Sequence, residues 1–117
     1  MKRNRRKGLR PCIKVWLEAG GQPAFGDGKL TWLEAIDETG SLRAAAQRLG
    51  MSYRGLWQRL RVMERRLGFE LVARHQGGAG GGGMDLTDDA RALVRGYRRF
   101  RQGIDRHVQR RFDRFIR

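Results

Sequence analysis

Hydrophobic positions recur at helical spacing on both sides of Gly50, within residues 40–67. Before the glycine they are Leu42, Ala45, Ala46 and Leu49, and after it they are Leu56, Leu60, Met63 and Leu67. A glycine between two such stripes suits a tight turn with positive φ. Ser41 and Ser52 each precede a stripe as an expected N-cap, because a serine oxygen accepts a bond from a free backbone N–H. The pattern predicts two short amphipathic helices joined at Gly50, with the small alanines allowing a close crossing.

The second of these helices carries a polar face opposite its apolar stripe. That face consists of Arg54, Gln58, Arg61 and Arg65. Arginine can bond guanine through two donors, glutamine can do the same for adenine, and both can hold a phosphate. The arrangement is typical of a helix-turn-helix whose second helix, at 52–67, lies in a DNA groove. The alternative is a helical hairpin whose basic face only meets solvent.

Polar and aromatic residues at the helix starts extend the set of candidate contacts. Tyr53 and Trp57 are four residues apart, a spacing that places both rings on one side of the helix, where they can stack on bases or a sugar. We interpret Trp57, next to the apolar Leu56, first as a residue at the edge of the core. The DNA-binding candidates in the helix pair are Ser41, Arg43, Ser52, Tyr53, Arg54, Trp57, Gln58 and Arg61.

The start of the chain is basic and then alternates. Residues 1–10 form a flexible arm too charged to pack, which either follows DNA or serves only as a solubilising tail. Beyond Pro11, apolar Ile13, Val15 and Leu17 alternate with other residues, and this period predicts a strand with one buried face.

A glycine-rich stretch and another helical pattern come next. Residues 20–28 contain four glycines and a proline and are predicted to be a loop. The following helix is expected from about residue 27 or 28 to Glu38, with Gly40 as its stop. Its inward residues are Leu30, Leu33 and Ile36.

Two short strand patterns flank a run of glycines after Gly68. Phe69–His75 is predicted to be a strand with Leu71 and Val72 buried, and a second strand is predicted around Met84–Leu86. The sequence between them is GGAGGGG, residues 77–83. Strands joined by a glycine-rich tip, directly after a recognition helix, predict the wing of a winged helix. At its base Arg74, His75 and Gln76 are expected to reach phosphate or a minor groove, unless they are only solvated.

The glycine run has two other interpretations. A phosphate-cradling loop would need a Lys-Ser or Lys-Thr pair after the glycines, and that pair is missing. A flexible linker between domains is the structural alternative, because so many glycines specify little backbone conformation. Against a linker, the remaining sequence predicts a single helix rather than a second domain.

The last segment predicts one long amphipathic helix. Thr87 is its expected N-cap, followed by Asp88 and Asp89 at the positive end of the helix dipole. The apolar stripe continues almost to residue 117, further than a small domain can cover, so we expect a twofold homodimer. The predicted interface residues are Leu93, Gly96, Tyr97, Phe100, Gly103, Ile104 and Val108. The alternative is a helix in the core of its own chain whose last turns fray.

Composition and charge narrow the function. Lysine and arginine exceed aspartate and glutamate by 26 to 12 in 117 residues, a formal charge of +14, which favours nucleic acid as the partner. Composition alone leaves an anionic membrane surface open. No apolar run is long enough to span a bilayer, and no apolar segment follows the basic start as in a signal peptide. We therefore expect a protein of the bacterial-type cytoplasm, associated with the nucleoid, and no membrane partner.

The sequence shows few residues suited to other chemistry. Cys12 is the only cysteine, and nothing around it has metal-site spacing. His75 and His107 are far apart in sequence, with no carboxylate or cysteine paired to them at ligand spacing. We predict no enzyme activity, no metal site and no cofactor.

The run GSLRAAAQRLGMSYRGLWQRLRVMERRLGFELVAR, followed by the glycine-rich segment and LTDDAR, resembles the winged helix-turn-helix domain of LysR-type regulators. It resembles more closely the N-terminal DNA-binding domain of ModE-type, molybdate-responsive regulators, because of the segments MSYRGLW and GGAGGGG. The resemblance covers roughly residues 12–105. It implies a dimeric regulator on an inverted repeat, with Ser52, Tyr53, Arg54 and Gln58 near the bases and the wing against the backbone.

The chain departs from the ModE pattern at two points. Ala79 stands where the family typically has lysine in the wing, which removes one candidate phosphate contact. Classical members continue into molybdate-binding domains at the point where this sequence ends. We therefore expect no molybdate binding by these residues.

Together these patterns predict a mainly α protein with a small β wing. The expected parts are a basic arm at 1–10, a winged helix-turn-helix DNA-binding domain at 11–86 and a dimerisation helix at 87–117. The predicted function is sequence-specific regulation of transcription by a dimer on duplex DNA, through the helix at 52–67 and the wing at 76–84. The competing hypothesis is an architectural DNA-binding or RNA-binding protein that uses its charge without contacting bases selectively.

Overall fold

The computed structural model describes residues 8–75 and 83–116. In chain order the elements are β1 (Trp16–Ala19), β2 (Gln22–Gly26), α1 (Asp27–Thr39), α2 (Leu42–Leu49), α3 (Tyr53–Leu67), β3 (Val72–His75), β4 (Gly83–Leu86) and α4 (Asp88–Ile116). The strands form two antiparallel pairs, β1 with β2 and β3 with β4. The predicted fold class, mainly α with a small β wing and a long C-terminal helix, is confirmed. Within the described ranges, no helix combines the length and the apolar character needed to cross a membrane.

The N-terminal strands differ from the prediction in two ways. The predicted loop at 20–28 is wrong in part, because β2 occupies Gln22–Gly26 and pairs with β1. The turn between the strands is Gly20–Gly21, whose φ values of 58° and 78° match a two-residue hairpin loop.

The predicted buried face of the first strand is wrong in part, because Val15 packs against the core but Ile13 and Leu17 remain exposed. The strand begins at Trp16, and Ile13 and Leu17 are 38% and 37% exposed. Leu17 pairs with Phe25 of β2, and it is Phe25, at 1% exposed, that enters the core. β1 therefore forms the outer strand of the hairpin, and the described part of the chain covers its side chains only partly.

The three helices of the helix-turn-helix region form as predicted. Gly40 and Gly50 end α1 and α2 in the left-handed conformation, with φ values of 67° and 68°. The hydroxyl of Ser41 accepts a bond from the N–H of Ala44 at 3.1 Å, which caps α2. The hydroxyl of Ser52 accepts from the N–H of Gly55 at 2.9 Å, which caps α3.

The core lies where these helices cross. Its buried side chains include Leu33 and Ile36 from α1, Ala45 and Ala46 from α2, and Leu56, Leu60 and Met63 from α3. The two alanines let α2 approach its neighbours closely, as their size suggests. This packing fixes which side of α3 faces inward, and so which side is left for a partner.

The wing strands form close to their predicted positions. β3 begins at Val72 rather than Phe69, and Leu71 and Val72 are buried as expected. The N–H of Met84 in β4 donates to the carbonyl oxygen of Gly40 at 3.0 Å, which attaches the wing to the turn between α1 and α2. A Cβ at Gly83 would lie 2.7 Å from that same oxygen, so only glycine fits here. The predicted wing tip, including Gln76 and Ala79, lies outside the described residues.

Helix α4 begins as predicted and extends to Ile116. The hydroxyl of Thr87 accepts from the N–H of Ala90 at 3.1 Å, which caps the helix. Tyr97, predicted to face a partner chain, is instead 3% exposed and packs edge to face on Phe25, with ring centroids 5.0 Å apart. The first turns of α4 are thus part of the core of their own chain.

A polar cluster anchors α4 to the start of α1. The hydroxyl of Tyr97 donates to the carboxylate of Asp27, and Arg101 donates to Asp27 from Nε at 2.9 Å and to the carbonyl of Ile13 at 3.0 Å. The hydrogen bond from Arg101 holds the pKa of Asp27 below its usual value. Burial, together with the bond to Asp27, raises the pKa of Tyr97 to about 12.

Candidate nucleic-acid interface

The side of α3 that faces away from the core is polar and open. Arg54, Gln58, Arg61 and Arg65 are all exposed, whereas Leu56 and Leu60 are fully buried. The split follows from helical geometry, since positions 54, 58, 61 and 65 recur at spacings of three and four residues. Arg54 and Gln58 lie one turn apart near the start of the helix. A partner bound to this face would contact both side chains.

Three predicted residues from three elements meet beside the start of α3. The guanidinium of Arg43 in α2 lies 5.3 Å from the ring centroid of Tyr53, a cation–π distance. From the wing, Nη2 of Arg74 donates to the Tyr53 hydroxyl at 3.5 Å. We name Arg43, Tyr53 and Arg74 the Tyr53 cluster. Among the described residues, no carboxylate lies within ion-pair distance of either arginine, so both keep their charge for an external anion.

Ser41 and Ser52 have a structural task already. Each hydroxyl oxygen accepts the capping hydrogen bond of its helix. The hydroxyl O–H can still donate a hydrogen bond to a phosphate. Both serines therefore hold the start of a helix in place and can contact a partner only as donors.

Trp57 and Arg61 form a pair at the edge of the core. Trp57 is half-buried and packs against the core, as its position next to Leu56 indicates. The guanidinium of Arg61 lies 5.3 Å from its ring centroid and 3.4 Å from Glu64, so its charge is partly balanced. The second carboxylate oxygen of Glu64 accepts from the N–H of Leu71 at 2.8 Å, which ties α3 to the wing. Within residues 8–75 and 83–116 Arg54 has no such neighbour, and it is the freer of the two arginines.

His75 is separate from the Tyr53 cluster, although it follows Arg74 directly. Its Nε2 lies 3.6 Å from the carboxylate of Asp85 on the paired strand, and both side chains are about half exposed. Successive side chains of a strand point to opposite faces, which separates His75 from Arg74. The remaining wing-base candidate, Gln76, lies outside the described residues.

The structure also shows cations beside α3 that were not among the predicted contacts. Between α1 and α3 lies an open groove of about 440 Å³, here named the α1–α3 groove, lined by Lys29, Trp32, Gln58, Arg59, Val62, Met63 and Arg66. Arg59 and Arg66 are seven residues apart and so share one side of α3. That spacing was a visible signal, but only the packing of α1 shows that Lys29 joins the same groove.

The part of the chain that the structure describes contains no group of three or more His, Cys, Asp or Glu side chains arranged to hold a metal ion. The features assembled around α3 are instead guanidinium groups, an amide and aromatic rings. These groups recognise anions and base edges.

Comparison with known proteins places this architecture in a family. Residues 28–91 match the family described as bacterial regulatory helix-turn-helix protein, lysR family. The molybdenum transport protein ModE of Azotobacter vinelandii is 35% identical over 91 residues, covering 74% of this chain and 34% of that protein. The molybdenum-pterin-binding protein MopB of Rhodobacter capsulatus is 34% identical over 80 residues, covering 68% and 30%. The chain thus spans about a third of the length of these relatives.

Solved structures show the same arrangement. The CbnR_DBD–DNA complex superposes with a TM-score of 0.52 at 26% identity, covering 71% of this chain and 90% of that chain. ArgP from Mycobacterium tuberculosis gives a TM-score of 0.52 at 26% identity, covering 70% and 29%. The predicted resemblance to LysR-type and ModE-type proteins is confirmed, and the matched family is one of regulators rather than enzymes. With more than half of its residues matched, the chain belongs to the lysR family of bacterial regulatory helix-turn-helix proteins.

Proposed function

We propose that this protein is a sequence-specific DNA-binding transcriptional regulator that inserts α3 into the major groove. The observation that carries the proposal is the polar face of α3, where Arg54 and Gln58 are exposed while the opposite face is buried in the core. The CbnR_DBD–DNA complex, which is similar over 71% of this chain, supports the same use of this fold. Acting on chromosomal DNA, the protein would work in the cytoplasm.

Base selection is assigned to Arg54 and Gln58. A B-form major groove is about 12 Å wide and admits one helix, whose outward side chains then meet base edges. The guanidinium of Arg54 can donate two bonds to guanine O6 and N7. The amide of Gln58 can pair with adenine N6 and N7. Because the two residues are one turn apart, they would contact neighbouring base pairs.

The Tyr53 cluster is assigned to the phosphate backbone. Arg43 and Arg74 converge on one aromatic ring and lack carboxylate partners among the described residues. Arginine binds phosphate through paired donors, and such contacts fix the position of a protein on the duplex without selecting sequence. The cluster would therefore set the depth and angle at which α3 enters the groove.

We further propose that two copies pair through α4 and bind an inverted repeat. An apolar groove of about 370 Å³ is lined by Leu17, Ala92, Leu93, Gly96, Tyr97 and Phe100. Phe100 is 47% exposed and Leu17 is 37% exposed, so both present apolar surface for a partner to cover. Tyr97 forms only the floor of the groove. A twofold axis through this groove would display the two α3 helices symmetrically.

The proposed interface differs from the sequence-based one in one strand residue. It gains Leu17, which belongs to β1 and was expected to be buried. It keeps Leu93, Gly96 and Phe100, and it continues along α4 through Gly103, Ile104 and Val108 as the sequence predicts. Each of these last three is partly exposed, so area remains for a second helix to cover.

Selection of binding sites from random duplexes, followed by sequencing, tests the function. We expect enrichment of a two-half-site palindrome whose half-site centres are about 10 base pairs apart, or a multiple of that. An architectural or RNA-binding protein would bind the random pool with equal strength and yield no motif. The proposal fails if the enriched pool shows no sequence preference over the starting pool.

A further inference from the structure

The α1–α3 groove lies directly beside the exposed face of α3 that we assign to bases. We propose that its cations, Lys29, Arg59 and Arg66, bind the phosphates of the DNA strand that borders one side of the major groove. The proposal rests on the function proposed above, because it assumes that α3 lies in that groove. It adds a second backbone contact on the side of α3 away from the Tyr53 cluster.

The three cations are held in position but not neutralised. Nζ of Lys29 lies 5.6 Å from the ring centroid of Trp32. Arg66 donates to the carbonyl oxygen of Pro23 at 2.6 Å, and Arg59 donates to the carbonyl oxygen of Gly55 at 3.2 Å. Aromatic rings and carbonyl oxygens orient a cation without cancelling its charge. No carboxylate within residues 8–75 and 83–116 forms an ion pair with any of the three.

The other side of α1 shows the opposite arrangement. There Arg98 of α4 meets Glu34 at 2.6 Å, and Arg91 meets Asp37 at 3.1 Å. Glu34 and Trp32 are two residues apart, which places them on opposite sides of the helix. Glu34 and Asp37 are therefore paired with α4, and Glu38 is paired with Arg48 of α2 at 2.6 Å, which leaves the α1–α3 groove positive.

Helical geometry directs this positive side toward a phosphate strand. Arg59 follows Gln58 by one residue and so points about 100° away from it around α3. A helix lying in the major groove directs its outermost side chains at the bases and the side chains about 90° from them at the groove walls, which are formed by phosphates. Gln58 lines both the outward face and the α1–α3 groove, so the two surfaces are continuous.

The positive surface extends beyond α1 toward the N-terminal hairpin. Lys29 and Trp32 also line an adjoining cavity of about 270 Å³ that includes Lys14 and Trp16. The acid in that cavity, Asp27, is already paired with Arg101 at 2.9 Å. A phosphate backbone leaving the half-site along this path would continue to meet cations.

Salt dependence of binding to the selected site tests the inference. The test variant is Lys29→Ala/Arg59→Ala, and the matched control is Arg91→Ala/Arg98→Ala, which removes the same charge from the other side of α1. We expect the log–log slope of affinity against salt to fall by about 0.9 for each phosphate that the variant no longer neutralises. The slope of the control should equal that of the parent, and the selected sequence should be unchanged in both. Circular dichroism checks folding, and Lys29→Gln/Arg59→Gln replaces the test variant if it unfolds.

A scan of the duplex locates the phosphates themselves. Each duplex carries one uncharged methylphosphonate in place of a phosphate. At one or two positions on a single edge of the major groove, the parent should lose affinity and the test variant should lose none. An unchanged slope in the test variant, or an equal fall in the control, would overturn the inference. The function itself fails separately, if the parent binds the selected site no better than random duplex.

Discussion

Tyr97 donates a hydrogen bond from its hydroxyl to the carboxylate of Asp27, 70 residues earlier in the chain. Tyr97 belongs to α4, and Asp27 is the first residue of α1. The bond therefore joins the helix proposed for dimerisation to the helix that packs against α3. Since Arg101 binds the same carboxylate, three charged or polar groups hold α4 at a fixed angle to the domain. That angle would set the spacing of the two α3 helices in a dimer.

This bond predicts that stability falls at high pH. The pKa of Tyr97 is raised to about 12 in the folded chain, from an ordinary value of 10.0. The Tyr97 hydroxyl therefore stays protonated to a higher pH in the folded state than in the unfolded state. Its hydrogen bond contributes fully to the free energy of unfolding below about pH 10, and this contribution is lost as the pH rises toward 12. By about pH 11 the loss should be on the order of 1 kcal/mol. Urea unfolding of the parent and of Tyr97→Phe at about pH 8 and pH 11 measures it. If the two proteins lose equal stability, the account of Tyr97 is wrong.

The turn between α2 and α3 predicts a contrast between two glycines. Gly50 has a φ of 68° and open space where a Cβ would stand, so Gly50→Ala should destabilise through the backbone alone, by about 1 to 2 kcal/mol. Gly28 in α1 also has open space but no positive φ. Gly28→Ala should therefore stabilise by about 0.4 to 1 kcal/mol. Free energies of unfolding in urea compare the two, and a neutral result at Gly50 would contradict the turn geometry.

The exposed face of α3 predicts a change in specificity rather than in stability. Arg54→Ala or Gln58→Ala should relax base preference at one position per half-site and cost about 1 to 3 kcal/mol of binding free energy there. Arg99→Ala, which removes an exposed arginine from α4, is the matched control and should leave the preferred sequence intact. Repeating the site selection with each variant measures its base preference at every position of the half-site. An unchanged motif for Arg54→Ala and Gln58→Ala would remove both residues from the base-contacting set.

The apolar groove on α4 predicts the oligomeric state. Phe100→Asp places a charge in the proposed interface and should convert a dimer to a monomer and weaken binding to a two-half-site duplex. Gln102→Asp introduces a charge two residues away, on the opposite side of the helix, and should leave the dimer intact. Sedimentation equilibrium distinguishes the two states. A dimeric Phe100→Asp protein, or a monomeric parent, would contradict the proposed interface.

The helix-turn-helix was predictable because its signals are local. Each helix carries its own stripe, each begins at a serine that caps it, and Gly50 has the left-handed conformation that its position demands. These features depend on neighbours within a few residues, so the sequence alone specifies them. The wing strands were predictable for the same reason.

The N-terminal hairpin was harder to predict, since its turn and strand signals conflict. Repeated glycine and Pro23 indicated a loop, yet Gly20 and Gly21 form the two-residue turn and β2 follows at once. The decisive factor is tertiary. Phe25 enters the core beside Tyr97, and this contact holds a strand that local propensity disfavours.

The residues of the candidate nucleic-acid interface also divide into some that local sequence predicts and others that depend on tertiary packing. Arg54 and Gln58 are exposed as a helical wheel predicts, but the meeting of Arg43, Tyr53 and Arg74 joins three elements. No spacing within the sequence encodes that meeting. The burial of Tyr97 was missed for a related reason, because a stripe on a long helix does not say which of its turns the chain itself covers.

The most direct test of the central claim compares two dissociation constants at one salt concentration, for the selected duplex and for a scrambled duplex of equal length. If α3 contacts bases through Arg54 and Gln58, the parent should prefer the selected duplex by roughly 10³-fold or more. The double variant Arg54→Ala/Gln58→Ala should lose most of that preference while still binding DNA through its remaining cations. Equal dissociation constants for the two duplexes in the parent, or a preference that survives in the double variant, would contradict the account.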